Sequence, residues 1–200
     1  MNPLCTFLLP SRRRPARLVE SIASIESTTG RDAYRIHVRT ESDDIETQRV
    51  AAQLLREGRI DLTLDQPPRG YAYIHDAWAA LLPVVTPWMW VWSDDTLLHG
   101  NWVAALAPQP LIGVICHAET ITNNRSVYRH VSGGPFPVVP GNTLEVLGLT
   151  SFPAPIDVGL DQDLRAKGWA TRFLSGVTVE HNRLEHLLAT ERTLLTPQSA

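Results

Sequence analysis

Two adjacent carboxylates, Asp94 and Asp95, follow the apolar run Trp88-Met89-Trp90-Val91-Trp92. That run is aromatic and β-branched and has Pro83 and Pro87 upstream, which predicts a buried strand. Like charges at the end of a buried strand repel, and burying them unpaired is costly. A hard divalent cation, Mg²⁺ or Mn²⁺, removes the conflict, because it takes carboxylate oxygens and shares itself with a substrate's phosphates. The simpler alternative is a solvated acidic turn that caps the next helix, since Asp is a good N-cap.

Other residues could join such chemistry. Arg12, Arg13 and Arg14 follow the first apolar stretch and read alone as a solvated helix start, but one arginine near a diphosphate would pair with it. Asp161 and Asp163 read alone as a helix N-terminal pair favoured by the dipole; a carboxylate there could also act as a general base. His181 follows an apolar run and is either a surface residue or a ligand. Trp88, Trp90 and Trp92 belong to a core, whereas Trp102 and Trp169 could stack on a sugar face.

The elements that must position these groups alternate regularly through the first half. Leu4 to Leu9 reads as a strand ended by Pro10-Ser11, with Ser11 able to cap the next helix and Pro15 in its first turn. Leu18, Val19, Ile22 and Ile25 recur at helical spacing, and Gly30 closes that helix. Tyr34 to Arg39 alternates as a second strand, followed by an acidic turn, Glu41 to Asp44. A helix spans Ile45 to Glu57 and stops at Gly58. A third strand covers Ile60 to Leu64 and a third helix Tyr71 to Leu82, before the Trp-rich strand. This β-α-β-α-β-α-β order predicts a parallel α/β sheet, in which ligands bind beyond the carboxyl ends of the strands. Pro10-Ser11, Glu41 to Asp44 and Ser93 to Asp95 all fall at those ends.

The second half is less regular. A short helix is expected over Asn101 to Ala107 and a strand over Leu111 to Cys116. Residues 123 to 142 read as a long loop that could hold one short strand. A short helix falls within Asp157 to Gly168, then strands over Trp169 to Leu174 and Val177 to Val179. A last helix is expected over Arg183 to Leu195 and a frayed tail over 196–200.

The 200 residues suit one domain. Hydrophobic residues make up 44% and charged residues 20%, an ordinary globular composition. A net charge of −3 implies no general affinity for nucleic acid. Cys5 and Cys116 are far apart in apolar contexts and read as buried reduced thiols. The arginines follow the apolar stretch, the reverse of a secretory signal, so none is expected. No run approaches the ~18 apolar residues of a membrane span. A cytoplasmic protein is the expectation.

The order Phe7-Leu8-Leu9-Pro10-Ser11-Arg12-Arg13-Arg14-Pro15, an acidic turn after the second strand, Ser93-Asp94-Asp95, Asp161-Gln162-Asp163-Leu164 and a late His181 resembles the GT-A fold glycosyltransferases, family 2-like. The resemblance spans residues 3 to 185. It implies a GT-A, Rossmann-like, mostly parallel sheet flanked by helices. It also implies a single catalytic domain over 1–195, with a nucleotide-binding half near 1–100 and an acceptor half near 101–195. It gives Asp95 to the metal, Mn²⁺ or Mg²⁺, with His181 as a further ligand. Asp94 takes the position that touches ribose or the metal's water shell. Ser93 stands where the family usually has Asp. Pro10, Ser11 and Arg14 match the segment that contacts the nucleotide, and Glu41 or Asp43 the acidic position that reads the base. Asp161 or Asp163 matches the catalytic base.

The implied reaction moves a sugar from a nucleotide-diphosphate sugar donor to an acceptor hydroxyl. One base and no second nucleophilic carboxylate favour direct displacement with inversion. Two alternatives stay open. A degenerate, non-catalytic nucleotide-sugar or glycan-binding module is suggested by Ser93. A nucleotidyltransferase would want a Gly-rich phosphate loop with a Lys, and Arg12 to Arg14 offer neither.

Overall fold

The structure, a computed structural model, describes residues 2–69, 74–122, 127–128, 136–150, 152–153 and 156–181. Its strands are β1 (Cys5–Pro10), β2 (Tyr34–Glu41), β3 (Leu62–Gln66), β4 (Trp88–Val91), β5 (Thr96–His99), β6 (Val114–Thr122), β7 (Val127–Tyr128), β8 (Val138–Pro140) and β9 (Ala170–His181). Its helices are α1 (Pro15–Thr28), α2 (Ile45–Arg56), α3 (Ile74–Ala79), α4 (Trp102–Leu106), α5 (Thr143–Leu147) and α6 (Ile156–Ala166). One sheet runs β3-β2-β1-β4-β8-β6-β9-β5, with β7 beside β6.

The first four strands are parallel, as the βαβ alternation requires. Beyond β4 the sheet is mixed: β8 is antiparallel to β4 and β6, and β9 is parallel to β6 but antiparallel to β5. The mostly parallel expectation therefore describes the first half only.

Sheet position follows from side-chain pattern. Every residue of β1 is buried, as suits a strand covered on both faces. Alternate residues of β1 and β4 divide between two cores. Phe7, Trp90 and Trp92 pack on one face with Leu18, Ile22 and Ile25 of α1; Leu8, Met89 and Val91 pack on the other with Trp78. Phe7 stacks on Trp90 at 5.2 Å between ring centroids. Four buried indole N–H groups find acceptors: Trp92 donates to the Ser21 hydroxyl, Trp102 to the Thr28 hydroxyl, Trp90 to the Phe136 carbonyl and Trp78 to the Trp92 carbonyl. Burial of these rings therefore leaves no orphaned donor.

Several expected boundaries move. α1 ends at Thr28, and Gly30, with φ −67°, opens the short 3-10 turn Arg31–Ala33 rather than capping the helix. β3 runs over Leu62–Gln66, two residues later than the apolar pattern suggests: Ile60 is buried, but ladder pairing with β2 begins only at Leu62, opposite His37. Two expected strands at the end are one, β9, with a break in register between His117 and Glu119 of β6. Strand β5 and helix α5 were not expected at all. The helix over Arg183 to Leu195 and most of the 123–142 loop lie outside the described residues.

Gly100 fixes the join between the two halves. Its φ is +91°, and a Cβ there would lie 2.0 Å from the Gly176 carbonyl oxygen. Only glycine allows β5 to turn this closely against β9.

Candidate active site

Three turns meet at the carboxyl edge of the parallel half. The chain leaves β1 at Pro10, whose partner in β2 is Arg39. Ser11 N–H then donates to the Arg39 carbonyl at 2.8 Å. Ser11 does not cap α1: its hydroxyl donates to Asp94 Oδ2 at 2.6 Å, and the N-cap position falls to Arg14, which makes no side-chain cap. The cause is an extra turn. Arg13 adopts φ +54°, a left-handed conformation that is costly for a residue with a Cβ. Its N–H donates to the Asp44 carboxylate, which also caps α2 through Thr47 N–H. Asp44 so fixes both the strained turn and the start of α2.

That turn splits the three arginines. Arg12 goes to Glu41 at 2.6 Å and to Asp43 at 3.0 Å. Arg13 reaches Asp43 at 3.3 Å. Arg14 goes to the other side, with Nη2 2.7 Å from Asp94 Oδ1 and Nη1 3.3 Å from Asp95 Oδ2. Glu41 is buried and also pairs with buried Arg39 at 3.3 Å. Both its oxygens are thus engaged by arginines, while Asp43 stays exposed.

Asp94 and Asp95 occupy the turn between β4 and β5, both buried. The turn is tied down through Ser93, whose carbonyl accepts from the Ser21 and Thr96 hydroxyls. Burial pushes the Asp94 carboxyl up to about 7, against the pull of Arg14 and the Ser11 hydroxyl. Burial would raise Asp95 too, but the His181 imidazole, the Ser93 hydroxyl and Arg14 outweigh it and hold that carboxyl far below the usual range. Ser93 therefore supports Asp95 although it is not itself an acid.

His181 ends β9, and its Nε2 lies 3.6 Å from Asp95 Oδ2. Pairing of β5 with β9 sets Thr96 opposite His181 and so delivers the imidazole. The Phe136 ring packs against it edge-on at 5.1 Å. The structure thus brings Ser11, Arg14, Ser93, Asp94, Asp95 and His181 together, with Glu41 and Asp43 beside them.

The donor set suits Mn²⁺ or Mg²⁺. Asp95 Oδ1 is buried and accepts no hydrogen bond, and a carboxylate with an imidazole is a fitting start for such a cation. Among the described residues no group of three or more His, Cys, Asp or Glu is placed to hold a metal. With Asp95 and His181 as its protein ligands, such a cation would take its remaining oxygens from water and phosphate, the usual arrangement for these ions at phosphate-bearing substrates.

Asp161 belongs to a second cluster. The expectation that it opens a helix is corrected: α6 begins at Ile156, and Asp161 lies about a turn and a half in. It is 1% exposed. Its Oδ1 accepts from the Thr171 hydroxyl at 3.1 Å and lies 3.8 Å from His117 Nε2; its Oδ2 lies 2.7 Å from Arg165 Nε. Asp163 points to solvent. His117 joins this cluster without having been expected there; a histidine inside the apolar strand stretch Val114–Ala118, fully buried here, is the signal in the sequence. Trp102 is fully buried in the aromatic core and stacks on no sugar. Trp169 is partly buried against the second core.

No protein-family model matches the chain, and no curated protein matches it. Solved structures do. The mannosyltransferase PcManGT from Pyrobaculum calidifontis, in complex with GDP-Man and Mn²⁺, is similar with a TM-score of 0.68 at 14% identity, over 100% of this chain and 66% of that one. S. aureus TarS with UDP-GlcNAc is similar with a TM-score of 0.70 at 9% identity, over 90% and 59%. GalNAc-T7 with UDP, GalNAc and Mn²⁺ is similar with a TM-score of 0.68 at 10% identity, over 90% and 44%. The chain spans less than two thirds of each of these proteins. Its fold is the GT-A fold.

Proposed function

We propose that this chain is a metal-dependent glycosyltransferase that moves a sugar from a nucleotide-diphosphate sugar to an acceptor hydroxyl, with inversion. The observation that carries the reading is the approach of His181 to Asp95 at the carboxyl edge of a GT-A sheet, beside the Arg14-bridged Asp94. Ligands of open α/β sheets bind at this edge. The three similar structures hold nucleotides or nucleotide sugars, two of them with Mn²⁺.

In this reading residues near 1–100 hold the donor and those near 101–195 the acceptor. Asp95 and His181 would hold Mn²⁺ or Mg²⁺, which supplies charge neutralisation at the departing diphosphate. Pro10, Ser11 and Arg14 line the nucleotide side. Glu41, clamped by Arg12 and Arg39, sets the shape of the base pocket, and exposed Asp43 can meet the base directly. The acceptor oxygen attacks the anomeric carbon as the bond from that carbon to the diphosphate breaks. The hydroxyl proton passes to a carboxylate, for which Asp161 is the candidate and Asp163 the substitute. Free, buried Cys5 and Cys116 suit a reducing compartment such as the cytoplasm. No helix among the described residues is long and apolar enough to cross a membrane.

A second reading, a non-catalytic nucleotide-sugar-binding module, is favoured by the burial of Asp161 among Thr171, His117 and Arg165. The test is a melting-temperature panel of nucleotide sugars with Mn²⁺ or with EDTA, followed by turnover assays on every stabilising donor. Metal-linked stabilisation with turnover, either hydrolysis or transfer, supports the enzyme. Stabilisation without turnover supports the module. Equal stabilisation in EDTA removes the metal from both readings.

A further inference from the structure

We propose that Arg14 is a displaceable counter-ion for Asp94 and Asp95, released by an entering divalent cation onto the diphosphate of the donor. The proposal rests on the donor and metal assignment above and adds a coupling between the two ligands.

Adjacent buried carboxylates need a positive partner. Arg14 provides it by bridging, with one nitrogen on each acid at 2.7 and 3.3 Å. The oxygen it holds on Asp95, Oδ2, is also the oxygen that faces His181 at 3.6 Å. A divalent ion on Asp95 and His181, taking either carboxylate oxygen, would lie within a few ångströms of that guanidinium and repel it strongly. The Arg14 side chain is 33% exposed, whereas the side chains of Asp94 and Asp95 are 0% and 9% exposed. The arginine therefore stands between the acids and solvent, where a cation must enter.

The surroundings permit the exchange. The backbone at Arg14 is held on its N-terminal side by Arg13 N–H on Asp44, and on its C-terminal side by Leu18 N–H on the Arg14 carbonyl. Only the side chain has to swing. Asp94 also accepts from the Ser11 hydroxyl at 2.6 Å, a contact that does not depend on Arg14. A guanidinium freed there presents a planar fork suited to phosphate oxygens. The consequence is reciprocal: the cation frees Arg14 for the diphosphate, and the diphosphate draws Arg14 off the cation's ligands.

Calorimetry on the full chain tests this with Mn²⁺ alone, then with UDP at saturating Mn²⁺. Arg14→Gln should bind Mn²⁺ alone about tenfold more tightly than the wild type, and UDP about tenfold more weakly, within the range of coupled sites. Arg14→Lys, a point charge that cannot bridge both acids, should bind Mn²⁺ alone with intermediate affinity. It serves as the comparison should Arg14→Gln not fold in EDTA. Wild-type Mn²⁺ affinity in these variants overturns the proposal while leaving the metal site intact, as does unchanged UDP affinity. Absence of Mn²⁺ binding in the wild type and all variants overturns the proposal together with the metal assignment. Asp95→Ala is the control for Mn²⁺ binding at this site and should lose it.

Discussion

His181 Nε2 lies 3.6 Å from Asp95 Oδ2, although one residue closes β9 and the other sits just before β5. Antiparallel pairing of those strands makes the contact. If this pair holds the metal, His181→Ala should weaken Mn²⁺ by at least about 10–100-fold, the range seen even for groups that only orient a ligand. Titration calorimetry reads this directly. An unchanged affinity would remove His181 from the ligand set.

The pairing depends on Gly100, where an added Cβ would lie 2.0 Å from a backbone oxygen at a φ of +91°. Gly100→Ala should cost about 1–3 kcal/mol in a denaturant titration. It should also loosen Mn²⁺ by shifting β5 against β9. A variant of wild-type stability would mean that the turn relaxes freely.

Asp94 gives the metal-free protein a pH dependence. Its carboxyl titrates at about 7 in the folded chain, against 3.8 ordinarily. Between those values the folded state binds more protons than the unfolded one. The stabilisation is complete below the unfolded value and is lost as pH rises through about 7. Asp95 works in the opposite sense, but only as pH falls below the usual carboxylate range. The melting temperature in EDTA should therefore fall from about pH 5 to about pH 8, and Asp94→Asn should flatten that slope. Saturating Mn²⁺ should counter it, because the cation binds the deprotonated acids. An identical slope in Asp94→Asn would assign the pH dependence to another group.

Asp161 and Asp163 separate the enzyme from the binding module. Positions two apart on a helix point about 200° apart, and here one is buried and the other exposed. Asp161→Asn should keep nucleotide and Mn²⁺ affinity within a few-fold of wild type and lose roughly 10²–10⁴ in turnover. Asp163→Asn should stay near wild type. A fall in melting temperature with full turnover would make Asp161 a structural anchor between α6 and Thr171. Loss of turnover in Asp163→Asn alone would move the base to that residue.

Much of the fold was readable because the first half is governed by local rules. Pro15 and the spacing of Leu18, Ile22 and Ile25 give α1; Asp44 and Gly58 bracket α2. The Trp88 to Trp92 run gives β4. Strand β5 is not legible in the sequence because its four residues directly follow two charges, too short a run to show a period. β9 read as two strands because Ser175 and Gly176 interrupt its pattern, yet pairing with β6 resumes beyond them. Trp102 looked available to a sugar because nothing local distinguishes a surface indole from one packed on Phe7 at 5.6 Å.

The site divides along the same line. The order of elements is enough to predict that Ser11, the Glu41 to Asp44 turn, Asp94 and Asp95 gather, because a parallel βαβ order places the carboxyl ends of its strands on one edge; Arg14 enters that group through the family resemblance. The three-dimensional fold set the pairings within that group: that Ser11 serves Asp94 rather than its own helix, that Arg14 rather than Arg12 bridges the acids, and that His181 reaches Asp95. It also decided that Asp161 is buried against Thr171 and His117. The reason is range. Helix spacing and strand alternation act over a few residues and are written in order along the chain. Which hydroxyl, guanidinium or imidazole reaches a given carboxylate depends on one left-handed residue, Arg13, and on a β5–β9 register set by distant backbone contacts.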